Sequence, residues 1–152
     1  MTTSPCVAPD SVAADLRRWA KGLYALEAAV ELLVRSFDGR FAQHGCPWIV
    51  ESESGRFWLD AEQIGAFAGG LSGGERRVLA VVQALATDEP WHDLAEVAGL
   101  ERRHQALLLA AIAHAGGSHE HADWRRGDDG YSTVVQLGSL YPSPAETAGD
   151  VR

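Results

Sequence analysis

The sequence predicts an α+β fold: one mostly helical domain with a long N-terminal helix, two short β-hairpins and a C-terminal half that is winged-helix-like. Three observations lead there. Apolar residues recur at alternating steps of four and three from Val12 to Phe37, and β-branched or aromatic runs follow Pro47 and Glu120 with turn residues between them. The intervening chain breaks at glycines into short helical segments. At 152 residues the chain suits one domain. A domain of that size buries roughly two-thirds of its unfolded surface without a disulfide or metal staple.

Residues 1–9 read as a polar, Pro-containing disordered lead-in, 10–141 as the globular domain and 142–152 as a disordered tail. From a cap at Asp10 or Ser11, the stripe Val12, Leu16, Trp19, Leu23, Leu26, Val30, Leu33 and Phe37 predicts a helix of roughly 38 Å, closed by Asp38-Gly39. That exceeds what a core of this size needs, so residues 12–37 are expected to meet a protein partner or a second copy. Ala20, Tyr24, Ala29 and Leu32 widen the stripe, as in a plain core helix, which leaves both readings open.

Next, the segment 47–59 reads as a hairpin turning on Ser54-Gly55. A two-residue turn pairs Glu53 with Arg56 and Val50 with Leu59, giving Trp48, Val50, Phe57 and Leu59 one core face. Ile49 and Trp58 then form an apolar island on the other face, a candidate partner contact. A short helix, Ala61 to Ala68, ends at Gly69-Gly70, and another runs from Gly73 to about Thr87. Asp93 to Ala98 and Glu101 to Ala115 follow, separated by Gly99. Glu120 to Arg126 and Tyr131 to Leu137, joined by the turn 127–130, complete a helix-turn-helix and wing. Arg102, Arg103 and Gln105 at the start of the last helix, with Arg125 and Arg126 on the wing, are the candidate nucleic-acid contacts. Against that, Ala106 to Ala113 is apolar all round, which suits the middle of a bundle better than a face reading base edges.

The segment Leu71-Ser72-Gly73-Gly74-Glu75 spells the signature loop of ABC-type ATPases. A cassette also needs a P-loop lysine, and the sole lysine, Lys21, lies in Trp19-Ala20-Lys21-Gly22. Ser72 and Glu75 instead form an S-x-x-E capping box that starts a helix. His114-Ala115-Gly116-Gly117-Ser118-His119-Glu120-His121 is the metal candidate: on an extended strand the H-x-H imidazoles share one side, and His114 can close a three-nitrogen zinc site. No cofactor is expected from any complete motif, and zinc is the metal this set would take. Cys6 and Cys46 form no C-x-x-C, G-x-S-x-G is absent, and the carboxylates are scattered. The residues therefore predict a protein that is not an enzyme.

A net charge of −8 opposes non-specific attraction to nucleic acid and to anionic lipid. The absence of a basic n-region or a long apolar run predicts a cytoplasmic protein with no membrane segment. Pro47-Trp48-Ile49, Ser72-Gly73-Gly74-Glu75-Arg76-Arg77 and the segment 111–121 resemble those of small proteins from high-GC, actinobacterial-type bacteria. The resemblance spans about residues 12 to 137, and that group supplies no activity, cofactor or catalytic residue to carry over. The expected function is a non-enzymatic interaction or regulatory module acting through the long helix and the Trp58 surface. The alternatives are a winged-helix DNA-binding regulator and a histidine-metal protein.

Overall fold

The computed structural model describes residues 9–90, 94–136 and 138. The expected lead-in up to residue 8, the tail from 142 and Leu137 lie outside the described residues. Helices α1 (Pro9–Ala20), α2 (Tyr24–Arg35), α3 (Glu62–Phe67), α4 (Gly73–Ala86), α5 (Leu94–Ala98) and α6 (Arg102–Ala115) are joined by two antiparallel hairpins. These are β1 (Ile49–Glu51) with β2 (Phe57–Leu59), and β3 (Ala122–Arg126) with β4 (Ser132–Gln136). The α+β class and the mostly helical content are as the periodicities predict. No described helix is long and apolar enough to cross a membrane.

The single helix expected over 12–37 is two helices folded back on each other. Gly22 adopts φ +95°, a left-handed conformation that Gly enters without steric cost, and the chain reverses there. Arg17 Nε meets Glu31 Oε1 at 2.6 Å across α1 and α2, whereas residues so far apart in one continuous helix would be separated by roughly 20 Å. The four-three alternation runs on through the break because both helices turn the same phase inward. Val12, Leu16, Val30 and Leu33 of the stripe are buried in one core, while Trp19 and Leu23 stay exposed. After α2, a 3₁₀ turn (Ser36–Gly39) reverses the chain again, with Phe37 and Asp38 in left-handed conformations.

Helix α2 is central and packs against α1, α4 and α6. Its inward residues Ala28, Ala29, Val30, Leu32 and Leu33 meet Val78, Leu79 and Val82 of α4 and Leu108 and Ala111 of α6 in one cluster. α4 starts as the capping box requires: Ser72 Oγ accepts from Glu75 N at 3.4 Å, and Glu75 Oε2 accepts from Ser72 N at 2.9 Å. α6 is not enclosed on all sides. Its outer face leaves Leu109 and Ile112 exposed, because only one side meets α2 and α4.

The first hairpin is shifted by one residue from the expected register. Ile49 pairs with Leu59 and Val50 with Trp58, and Ser52 N donates to Arg56 O at 2.8 Å, closing the loop Glu53-Ser54-Gly55. Gly55 at φ +75° supplies the left-handed residue that ends such a loop. Because side chains alternate along a strand, the one-residue slip exchanges the faces of Ile49 and Val50, while β2 keeps the faces expected of it. Ile49, Phe57 and Leu59 turn to the core while Val50 and Trp58 turn outward and are half-buried. Ile49 is therefore not a surface contact. Trp48 stays buried, its indole Nε1–H donating to Phe41 O at 2.8 Å.

Candidate metal centre

Glu27, His114 and His119 converge from three places in the chain, with one potential ligand atom from each lying within 4.8 Å of the others. Glu27 comes from the first turn of α2, His114 from the last turn of α6, and His119 from the 3₁₀ turn Ser118–Glu120 that follows. Packing of α6 on α2 brings the first two together. His114 Nε2 stands 2.8 Å from Glu27 Oε2, with the imidazole N–H donating to the carboxylate. Gly22 N donates to the other oxygen, Oε1, at 2.8 Å, so the reversal between α1 and α2 also orients this carboxylate. Burial raises the Glu27 carboxyl most, yet the Gly22 and His114 hydrogen bonds and the nearby imidazoles together hold it below its usual value.

His119 is placed by Gly117, whose φ of +73° turns the chain out of α6. A Cβ there would stand 3.3 Å from Tyr24 Cε2, so the close approach over α2 favours glycine. The His119 ring stacks on His114 with centroids 4.0 Å apart and planes within 4°. Tyr24 meets its edge, with ring centroids 4.9 Å apart. The buried Nδ1 of His119 has no hydrogen-bond partner among the described residues. The Glu120 carboxylate beside the Tyr24 hydroxyl raises the phenol.

His121 does not join this cluster. The H-x-H segment is not extended: Ser118 to Glu120 form a 3₁₀ turn, so the two imidazoles do not share a side, and His121 is exposed beside β3. Glu27 takes the third place, an assignment the local spacing could not give because its partner lies 87 residues away. His104 was also missed. It is buried and stacked on Phe37 at 4.1 Å, and its Nε2 accepts from Phe37 N at 3.4 Å, holding the left-handed reversal.

Arg102 and Arg103 open α6, with Arg103 beside Asp38 at 3.4 Å, while Arg125 and Arg126 lie on β3, beyond the other end of that helix in sequence. As neighbours on a strand, Arg125 and Arg126 point to opposite faces. Gln105 Nε2 donates to Ala98 O at 3.1 Å, fastening α5 to α6. Burial pushes the Cys46 thiol up, away from the thiolate form a nucleophile needs.

No protein family, no curated protein and no solved structure matches this chain.

Proposed function

We propose that the protein is a non-enzymatic binder of a zinc-class divalent cation, held by Glu27, His114 and His119. The observation that carries the reading is the meeting of two imidazoles and a carboxylate that distant elements deliver to one point. An N, N, O donor set suits zinc, which binds imidazole nitrogen and carboxylate oxygen at about 2.0–2.2 Å. The His114–Glu27 hydrogen bond holds two of these atoms only slightly closer than they would sit on a shared ion, with a proton where the metal would lie. His119 must rotate about its side-chain bonds to close the third contact. Its turn is fixed by Gly117, and its Nδ1 has no hydrogen-bond partner among the described residues.

A binding role, and not a reaction, is favoured by the state of the neighbouring Glu31 carboxylate. Glu31 is engaged by both Arg17 and Arg35. An ion at this point ties the turn before β3 to α2. The winged-helix DNA reading draws on the order α4, α5, α6, β3, β4 alone. The outer face of α6 offers Ala106, Leu109 and Ile112, which carry no base-reading groups.

Isothermal titration of metal-free protein with zinc tests the reading. The expected result is one zinc per chain, a raised melting temperature and a tetrahedral d–d spectrum with cobalt. His119→Ala and Glu27→Gln should each weaken binding at least about tenfold, and His121→Ala should leave it unchanged. Equal losses in His119→Ala and His121→Ala, or no saturable heat at about 100 μM zinc, overturn it.

A further inference from the structure

The cleft between α1 and the β1–β2 turn is independent of the histidine cluster. Its volume is about 450 Å³, within the range of small-ligand sites. Phe57 forms a buried floor, and the indoles of Trp19 and Trp58 form walls with centroids 6.2 Å apart and planes inclined at 46°. The walls make an open V. Sandwiching a ring requires about 7 Å between the outer planes, twice the carbon contact distance, so a flat guest lies across the mouth against both edges.

The charges at the rim are unequal. Asp15 is already engaged on both oxygens, taking Arg18 Nη1 at 2.6 Å and Phe57 N at 3.3 Å. Arg56, exposed at the rim, makes no side-chain hydrogen bond or ion pair among the described residues. A cation without a counter-charge therefore stands beside exposed aromatic surface in a chain whose net charge is −8. The observed hairpin sets Arg56 at the end of the three-residue loop, beside the outward-facing Trp58.

We propose that this cleft binds an aromatic carboxylate, its ring on Trp19 and Trp58 and its carboxylate on the Arg56 guanidinium. A charge-assisted contact of that kind supplies about a tenfold preference over a neutral isostere.

The test compares naphthalene-2-carboxylate with 2-naphthylmethanol, following the indole N–H resonances of the full-length protein by NMR. The carboxylate should shift the Trp19 and Trp58 signals with at least about tenfold higher affinity than the alcohol. Arg56→Gln should abolish that preference while retaining the weaker ring binding, and Arg125→Gln should preserve the preference. Binding of N-acetyl-tryptophan more tightly than the naphthoate assigns the carboxylate to a peptide C-terminus, and the reverse assigns it to a free small molecule. Equal affinity for acid and alcohol, a preference that survives Arg56→Gln, or shifts confined to Trp124 overturn the proposal.

Discussion

In the helical body, Leu32, Leu33, Leu79 and Leu108 are at most 1% exposed, whereas Trp124 and Val134, directly paired across β3 and β4, remain 69% and 57% exposed. The two regions are held by different forces. The body is stabilised by apolar contacts between α1, α2, α4 and α6, far apart in sequence, so removing one side chain leaves a void that rigid neighbours cannot fill. The β3–β4 ribbon is shaped by its own ladder and turn, with only Val135 partly covered. Hydrogen bonds give a ribbon its form, but without a buried face a two-stranded unit has only marginal stability of its own. His119 stands at the junction, so the proposed ion would couple the weakly held region to the strongly held one.

The largest expected effect breaks the body. Leu32 is fully buried on the central helix, and Leu32→Ala should cost about 3 kcal/mol, lowering the urea midpoint of the whole helical signal. A loss below about 1 kcal/mol would mean that the helices slide to fill the void, and that α2 is not the fixed centre of the fold.

An intermediate effect concerns the joint between α1 and α2, where Glu31 accepts from Arg17 at 2.6 Å and from Arg35 at 2.7 Å. Burial raises the Glu31 carboxyl most, but both guanidinium hydrogen bonds and their charges outweigh it and leave the group below its ordinary 4.5. A carboxyl depressed in the folded state favours folding at pH above its unfolded value. That contribution is lost as pH falls through the lower folded value. Glu31→Gln should therefore cost about 1–2 kcal/mol at pH 7, with the gap from wild type closing below about pH 4. Parallel stability curves down to pH 2 would show that the pair contributes nothing to this joint.

How much of this could be read in the sequence depends on how local the cause is. The starts of α4 and α6 were legible because a capping box and bounding glycines act within a few residues. The second hairpin was legible in the same way, from a Gly-Asp-Asp-Gly turn between alternating runs. The break at Gly22 was hidden because the apolar phase of α1 continues into α2, leaving one glycine as the only sign. At Ser54-Gly55, a left-handed glycine fits a two-residue turn and a three-residue loop alike. The choice rests on the Ser52–Arg56 bond, and with it the faces of Ile49 and Val50. In the candidate centre His114 and His119 were legible as a cluster, but Glu27 was not, since only the packing of α6 on α2 joins it to them.

The smallest expected effect sharpens the contrast on the ribbon itself. Trp124→Ala removes the largest side chain of β3 and its cross-strand partnership with Val134, a pairing worth about 0.2–1 kcal/mol within a hairpin. If the ribbon opens while the body stays folded, that energy does not enter the global transition. The urea midpoint followed by far-UV circular dichroism should then move by less than about 0.5 kcal/mol equivalent, while ribbon amides exchange hydrogen faster than in wild type. Zinc, by fastening His119, should slow exchange in the ribbon of both proteins. A global loss above about 2 kcal/mol would place Trp124 within the cooperative unit and remove the distinction between body and ribbon.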